Sequence, residues 1–383
     1  TAAAAAATAA AKRVVVFGGG SFGTALAYRA AVGAGGRNRV VILTRNAKQA
    51  SAMQRTRINP NYLTNAQYRL PDNVDVSTDA AAALNGADVI IHTIPTQKSF
   101  EYLSKVRHLI APHVPIVSAS KGLEMDTLEY MSQIIPRALQ REQQCGFLSG
   151  PTFAKELVEN QPSAAVCASV PAEGGVASMV SDLMAHPSFK VYISDDVVGV
   201  EVGGALKNIF AIASGCAVGL GLGLNSRALL VTRGVREMTL LAVAMGAHPQ
   251  TLAGLSGIGD LMLTCYGALS RNRSVGERIG KGETLAEIRA SMNEVAEGVA
   301  TAPAALQLAE KLGVVDQTPI IKAVADVLAD RKSATDAVTE LMARPAAAEF
   351  PPHLLEFGAA AAAVATATAT AGDGGDGGGG GES

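Results

Sequence analysis

Residues 14–27, VVVFGGGSFGTALA, are the most informative segment for the fold of the first half of the chain. Four apolar residues, 14–17, predict a buried strand, and the small and apolar residues after the glycines predict a helix. The spacing Gly-x-Gly-x-x-Gly is weak evidence alone but specific between a strand and a helix. Gly18 permits a tight turn, Gly20 lets a ligand approach the backbone, and Gly23 lets helix and strand pack closely. These features predict a turn that binds the pyrophosphate of a dinucleotide at the start of a helix.

Seven more β-branched or apolar runs follow and alternate with helical stretches, which predicts βαβ units and a sheet covered on both faces. They are VVIL (40–43), VDVS (74–77), DVIIHTI (88–94), PIVSAS (115–120), GFLS (146–149), AAVCA (164–168) and KVYIS (190–194). From Val197 to about Arg344 the apolar residues recur at helical spacing instead. The predicted fold class is therefore α/β, with a Rossmann-type dinucleotide-binding domain at 13–195 followed by an all-α domain at 196–350.

Composition limits the classes of function that remain. The 383 residues are 48% hydrophobic with a net charge of −2, so the chain is long enough for two cores and is an improbable partner for nucleic acid. The longest apolar stretches, such as 211–224, are interrupted by Ser and Gly and are shorter than the roughly 20 residues of a membrane span, so we expect none. No CxxC pair or metal-ligand spacing occurs among the four cysteines, which favours buried thiols in a reducing compartment over a disulfide or metal site. They are Cys145, Cys167, Cys216 and Cys265.

Both ends of the chain are low in complexity and are excluded from the fold prediction. Residues 1–12 are an Ala/Thr-rich extension that ends in Lys12, and 351–383 form an Ala/Gly-rich tail. An acid-free Ala/Thr stretch before basic residues fits the remnant of an organellar transit peptide, and a disordered extension fits equally well. We therefore expect a soluble protein of the cytoplasm or the plastid stroma.

The end of the second predicted strand bears on the choice of cofactor. An acid at this position would hold the ribose of NAD, but the sequence here is Leu43-Thr44-Arg45-Asn46. Arg45 is suited to a 2′-phosphate, which favours NADP, although a surface arginine that ends a strand would have the same sequence. The cofactor is therefore NAD or NADP.

Two lysines and an aspartate stand in apolar surroundings. Lys121 follows the fifth predicted strand and so projects from the carboxyl edge of the sheet, where ligands of such folds bind. Lys207 lies in the apolar segment GGALKNIFAIA (203–213), where desolvation would lower its pKa towards neutrality and allow proton exchange with a substrate oxygen. Asp260 follows a glycine-rich turn and opens an apolar stretch, which makes it a candidate site residue, with a helix N-cap as the alternative. Exposed or snorkelling side chains are the alternatives for the lysines.

A second group of polar residues is suited to an anion. Ser270, Arg271 and Asn272 offer a hydroxyl, a forked guanidinium and an amide at a predicted helix start, and a basic surface turn is the alternative. Asn208, next to Lys207, is a further hydrogen-bond donor for a substrate.

Several motifs together resemble the bacterial type of NAD(P)-dependent glycerol-3-phosphate dehydrogenase, from about Arg13 to Glu349 in the right order. They are GGGSFGTALA (18–27), IPTQ (94–97), SKGLE (120–124), LSGPTFAKEL (148–157), GGALKNIFAIASG (203–215), GLSGIGDLMLTC (254–265), LSRNRSVG (269–276) and EVAEGV (294–299). The resemblance implies reversible NAD(P)H-dependent reduction of dihydroxyacetone phosphate to sn-glycerol 3-phosphate, which supplies the glycerolipid backbone. A reductase of another small 2-hydroxy compound and a non-catalytic NAD(P)-sensing protein are the alternatives.

The resemblance also implies a role for each site residue, with no metal. Lys207 would be the general acid/base, with Lys121 and Asp260 beside the reacting oxygen. The substrate would contact Lys121, Gly150, Thr152, Lys207, Asn208, Asp260, Ser270, Arg271 and Asn272. The cofactor would contact Gly18, Gly20, Ser21, Phe22, Gly23, Arg45, Lys121, Ala154, Arg271, Val295 and Glu297. The apolar second domain favours a homodimer.

Overall fold

A computed structural model of the chain describes residues 10–292, 296–346 and 348–349. Each of the eight runs predicted to be strands forms one, within a few residues of the predicted bounds. The fourth and fifth runs shorten most, by three residues each: 88–94 reduces to four residues and 115–120 to three. The strands are β1 (Arg13–Phe17), β2 (Arg39–Leu43), β3 (Val74–Ser77), β4 (Val89–His92), β5 (Ile116–Ser118), β6 (Cys145–Ser149), β7 (Ser163–Ala168) and β8 (Phe189–Ser194).

Within the described residues the strands form one sheet in the order β3-β2-β1-β4-β5-β6-β7-β8. Neighbouring strands from β3 to β6 pair in parallel, β7 runs antiparallel to β6, and β8 is parallel to β7. Because successive side chains point to opposite faces, Val14 and Val16 join one apolar cluster while Val15 and Phe17 join another. The sheet is therefore covered on both faces, as predicted.

Helices cover the sheet and then form the second half of the chain. The helices up to the last strand are α1 (Ser21–Val32), α2 (Ala47–Thr56), α3 (Ala80–Leu84), α4 (Thr96–Val106), α5 (Met131–Leu139), α6 (Ala154–Val158) and α7 (Val176–Leu183). Those after it are α8 (Val197–Gly219), α9 (Leu224–Ala244), α10 (Pro249–Leu252), α11 (Asp260–Tyr266), α12 (Arg271–Gly280), α13 (Leu285–Ser291), α14 (Gly298–Lys311), α15 (Pro319–Leu328) and α16 (Ala334–Ala343). The predicted fold class is confirmed: a Rossmann-like sheet followed by an all-helical part.

Helix α8 is the centre of the helical part. Its buried face includes Leu206, Ile209 and Phe210, which belong to the apolar cluster of this part of the chain. By length and composition the 23-residue helix could cross a bilayer, although the sequence suggested that no segment was long enough. In this protein 78% of its apolar window is buried against other elements, which is the environment of a core helix.

Two adjacent glycines let α8 pack closely against the sheet. A Cβ on Gly204 would lie 2.7 Å from the Oγ of Ser149, the last residue of β6. A Cβ on Gly203 would lie 2.6 Å from the carbonyl oxygen of Ser256, in the segment before α11. Because larger residues would push α8 away from both neighbours, this glycine pair positions the next turn of the helix, which carries Lys207. The sheet and these helices belong to one compact unit that extends to Leu341.

Candidate active site

Asp260 receives a hydrogen bond from each of two lysines. Lys207 donates to Oδ1, and the Nζ of Lys121 lies 2.7 Å from Oδ2. Thr264, one helical turn later, places its hydroxyl 3.3 Å from Oδ1 and donates to the Asp260 carbonyl at 2.6 Å. The N-cap of α11 is Gly259, so the alternative of Asp260 as an N-cap is wrong. The three charged groups form one cluster at the carboxyl edge of the sheet.

Lys121 connects this cluster to the sheet. It follows β5, donates to the carbonyl of Gly150 at 3.3 Å, and holds its ammonium 5.7 Å from the centre of the Phe22 ring. The carbonyl of Gly150 also accepts a hydrogen bond from Thr152 at 3.1 Å. Gly150 has φ +132°, and a Cβ there would lie 2.9 Å from Ala165, so the turn requires glycine.

The cluster is almost closed to solvent. The side chains of Lys207, Lys121 and Asp260 are 9%, 13% and 1% exposed. The pKa of Lys207 is lowered to about 8, mainly by burial; the charge of Lys121 also lowers it, while Asp260 opposes the shift. Burial favours the neutral form of Asp260, but the two ammonium groups outweigh it and hold the pKa of the carboxyl below its usual value. Asp260 is therefore ionised at neutral pH, and Lys207 can gain or lose a proton there.

Two amides in series connect α8, α12 and α14. The backbone N–H of Gly298 donates to the Oδ1 of Asn272, and the Nδ2 of Asn272 donates to the Oδ1 of Asn208, each at 2.9 Å. A backbone N–H can only donate, so it fixes which end of the Asn272 amide is oxygen and, through it, the orientation of Asn208. The side-chain oxygen of Asn208 therefore accepts a hydrogen bond from Asn272, and its NH₂ group points away from Asn272 as a donor.

The remaining predicted substrate residues lie at the start of α12. Ser270 is the N-cap and accepts the N–H of Arg273 at 3.2 Å. Arg271 is the first helical residue and is exposed, whereas Asn272 is buried in the amide series. Helix N-termini attract anions because their N–H groups point outward. Ser270 and Arg271 thus lie together at the N-terminus of α12. The side-chain oxygen of Asn272, by contrast, already accepts the N–H of Gly298 in α14.

The glycine turn after β1 has the shape that a pyrophosphate needs. A Cβ on Gly18 would lie 2.7 Å from Thr93, and one on Gly23 would lie 2.1 Å from the carbonyl oxygen of Gly18, so both positions exclude larger residues. A Cβ on Gly20 would meet no protein atom within 4 Å. Gly20 is also the N-cap of α1 and has no side chain to cap the helix. Open space in front of uncapped helical N–H groups fits the phosphates of a dinucleotide.

The other predicted cofactor residues surround this turn or lie along the sheet edge. Ser21 and Phe22 begin α1, Ala154 begins α6, and Arg45, two residues after the end of β2, is exposed. Glu297 is the N-cap of α14; burial raises its pKa, against the effect of Arg271 and both lysines of the cluster. Val295 lies outside the described residues.

Two residues of this site, Thr264 and Ser149, were not predicted from the sequence. Thr264 could have been found, because a hydroxyl one turn after Asp260 lies on the same face of a helix. Ser149 carried no signal: it is a buried polar residue at the end of β6, and its hydroxyl has no partner among the described residues.

Comparison with known proteins places the chain in a family. The model of the N-terminal domain of NAD-dependent glycerol-3-phosphate dehydrogenase matches residues 13–174, and the model of its C-terminal domain matches 196–339. The chain belongs to the NAD-dependent glycerol-3-phosphate dehydrogenase family. The resemblance found in the motifs is thus confirmed over both halves of the chain.

Individual glycerol-3-phosphate dehydrogenases are similar over most of their length. A chloroplastic NAD⁺ enzyme of Arabidopsis thaliana is 46% identical over 86% of this chain and 77% of its own. The NAD(P)⁺ enzyme of Leptospira biflexa is 44% identical over 85% of this chain and 96% of its own. The crystal structure of the dehydrogenase from Coxiella burnetii superposes with a TM-score of 0.81 at 32% identity, covering 87% of this chain and 99% of that one.

Proposed function

We propose that Lys207 moves the proton in the reaction that this chain catalyses, with Asp260 and Lys121 holding it in place. The chain is an oxidoreductase that interconverts dihydroxyacetone phosphate and sn-glycerol 3-phosphate with NADH or NADPH as the reductant. The observation that carries the assignment of Lys207 is its burial together with a pKa of about 8 beside an ionised carboxylate. A group with a pKa near the working pH is the most effective acid and base.

The reaction needs one hydride and one proton. Bound NADH or NADPH supplies the hydride to C2 of the ketone. Lys207 donates a proton from Nζ to the C2 oxygen, which becomes the hydroxyl of the product, and then regains a proton from solvent. In the reverse direction the neutral amine accepts the hydroxyl proton. Asp260 stabilises the charged form of Lys207 through Oδ1, so the group is protonated before reduction.

Lys121 has a different task in this proposal. Its ammonium is held by Asp260 and by the carbonyl of Gly150, on the sheet side of the cluster. A fixed positive charge there stabilises the negative charge that develops on the C2 oxygen as hydride arrives. It also lowers the pKa of Lys207, which makes that group a stronger acid.

The substrate phosphate is assigned to the start of α12. Ser270 and Arg271 offer a hydroxyl and a forked guanidinium at an N-terminus. Asn208 would donate its NH₂ to the substrate, and Asn272 would act mainly by fixing that orientation. Gly150 and Thr152 would line the same space from the sheet side.

The cofactor is assigned to the glycine turn and the sheet edge. Gly18, Gly20 and Gly23 would receive the pyrophosphate, with Ser21 and Phe22 beside them. Ala154, Arg271, Val295 and Glu297 complete the proposed set together with Lys121. Arg45 would meet a 2′-phosphate, which favours use of NADPH.

Initial rates with dihydroxyacetone phosphate and each reduced cofactor test the assignment and the cofactor choice together. We expect oxidation of both NADH and NADPH, and a loss of NADPH affinity relative to NADH in Arg45→Ala. A 2-keto acid should give no comparable rate. Turnover of the keto acid without turnover of the phosphorylated ketone would favour another reductase, and cofactor binding without turnover of either would favour a sensor.

We also propose the division into a dinucleotide-binding domain at 13–195 and a substrate domain at 196–350, the extensions at 1–12 and 351–383 lying outside both. The cytoplasm or the plastid stroma is proposed as the location, since relatives include bacterial and chloroplastic enzymes.

A homodimer is proposed because five large apolar side chains of α9, α11 and the following turn are exposed. They are Leu224, Leu229, Met262, Tyr266 and Leu269. Light scattering with gel filtration would test the oligomeric state.

A further inference from the structure

Two buried side-chain amides donate hydrogen bonds to the backbone of the glycine turn. The Nε2 of Gln49 donates to the carbonyl of Gly19 at 2.7 Å, and the Nδ2 of Asn59 donates to the same oxygen at 3.0 Å. Gln49 is 7% exposed and Asn59 is fully buried. A carbonyl oxygen that accepts two donors in a site closed to water is held in one direction.

The orientation of both amides is fixed by their other contacts. The Oδ1 of Asn59 accepts the backbone N–H of Asn61 and the Nε2 of Gln49, each at 3.1 Å. Its Nδ2 therefore faces the turn, where it also donates to the hydroxyl of Thr24 at 2.8 Å. Thr24 in turn donates to the carbonyl of Gly20 at 2.8 Å. The carbonyl oxygens of Gly19 and Gly20 thus both accept hydrogen bonds from within the protein.

The direction of the Gly19 carbonyl decides the direction of the next N–H. In a planar trans peptide the C=O and the following N–H point to opposite sides. With the Gly19 oxygen drawn inward, the N–H of Gly20 points to the side away from the two amides; a Cβ on Gly20 would also meet no protein atom within 4 Å. That is the side on which a pyrophosphate would lie.

Gln49 also connects the turn to the end of β2. Its backbone N–H donates to the N-cap Asn46, and its Oε1 accepts the hydroxyl of Thr44 at 3.2 Å. Thr44 packs directly against the turn, because a Cβ on Gly19 would lie 3.1 Å from it. One side chain therefore joins the pyrophosphate turn to the segment that carries Arg45.

We propose that Gln49 and Asn59 are positioning residues for the cofactor: they aim the N–H of Gly20 at the pyrophosphate and keep the turn in register with the end of β2. This inference rests on the proposed binding of the cofactor to the glycine turn. Since NADH and NADPH share the pyrophosphate, loss of either amide should weaken the binding of both cofactors.

The test compares Asn59→Leu and Gln49→Met with the control Asn38→Leu. Asn38 is 1% exposed and donates to the carbonyl of Ala30 at 2.8 Å, next to the other end of β2. Kd values for NADH and NADPH come from fluorescence titration well below the melting temperature. We expect both test variants to raise both Kd values about tenfold, because the Gly19 carbonyl then keeps only one of the two donors that hold it. The KM for dihydroxyacetone phosphate at saturating cofactor should stay unchanged.

The control separates positioning from general stability. Asn38→Leu should lower the melting temperature about as much as Asn59→Leu but leave both Kd values at the wild-type level. Wild-type Kd values in the two test variants, or an equal rise in the control, would overturn the inference. If Asn59→Leu does not fold, Gln49→Met alone decides. Failure of the wild-type protein to bind either cofactor would instead contradict the proposed function.

Discussion

The Oδ2 of Asp260 lies 2.7 Å from the Nζ of Lys121, although 139 positions separate the two residues in the sequence. One belongs to the first turn of a helix in the second half of the chain, and the other follows a strand of the sheet. This ion pair is nearly closed to solvent, where a charge that loses its partner is costly. It therefore fixes the helical part against the sheet at the place where the proposed chemistry occurs.

Replacement of Lys207 by Ala should lower turnover by at least about 100-fold, the usual effect of losing a general acid/base. The affinity for NADH should be retained, because Lys207 lies in α8 rather than in the glycine turn. Steady-state rates and a fluorescence titration measure the two effects separately. Lys190→Ala, in an exposed position of β8, is the matched control and should keep normal turnover. Near-normal turnover in Lys207→Ala would remove the residue from the proposed role.

The pH dependence of reduction should follow the proton on Lys207. The protonated form is the acid, so kcat for dihydroxyacetone phosphate should fall as pH rises through about 8. In the oxidative direction the neutral amine is the base, so the rate should rise over the same range. Rate profiles from pH 6 to 10 measure both limbs.

Two substitutions beside Lys207 should shift the pH of this rate transition in opposite directions. Lys121 lowers the pKa of Lys207 and Asp260 raises it. Lys121→Met should therefore shift the pH at which kcat falls to a higher value, and Asp260→Asn should shift it to a lower value, each with reduced turnover. An unchanged transition pH in both variants would show that another group titrates.

Gly20 and Gly23 should respond differently to alanine. A Cβ on Gly23 would lie 2.1 Å from the Gly18 carbonyl oxygen, so Gly23→Ala should lose about 1–3 kcal/mol of unfolding free energy. Gly20→Ala meets open space and should unfold like the wild type, yet raise the Kd for NADH at least about tenfold because the methyl group occupies the pyrophosphate position. Urea unfolding and fluorescence titration measure the two quantities. Unchanged cofactor affinity in Gly20→Ala would contradict binding at this turn.

Asn272→Asp should act on the substrate through Asn208. A carboxylate at 272 still accepts the N–H of Gly298 but cannot donate to Asn208, whose amide then reverses and presents its oxygen to the substrate. We expect the KM for dihydroxyacetone phosphate to rise about tenfold, with a lower melting temperature because a carboxylate replaces a buried amide. The same change in an Asn208→Leu background is the control and should add little further effect. Full additivity of the two changes would show that Asn272 contacts the substrate independently.

Much of the fold and part of the site follow from local sequence patterns. All eight strands were predicted because apolar runs bounded by turn residues depend on neighbours in the chain. The glycine turn was recognised for the same reason, since strand, turn and helix are contiguous. Lys207 was singled out because a charged residue in an apolar helix is unusual at any location in the fold.

Tertiary structure alone decided which distant residues meet. The sharing of Asp260 by two lysines, the amide series from Gly298 to Asn208, and the support of Gly19 by Gln49 and Asn59 all join separate elements. None of these contacts has a fixed spacing in the sequence, because it is set by how helices pack on the sheet and by the need of each buried polar group for a partner. Local sequence patterns set the secondary-structure elements and the kinds of chemistry available, because both depend on near neighbours in the chain. Packing set the partner of each polar group, and with it the protonation state and orientation of that group.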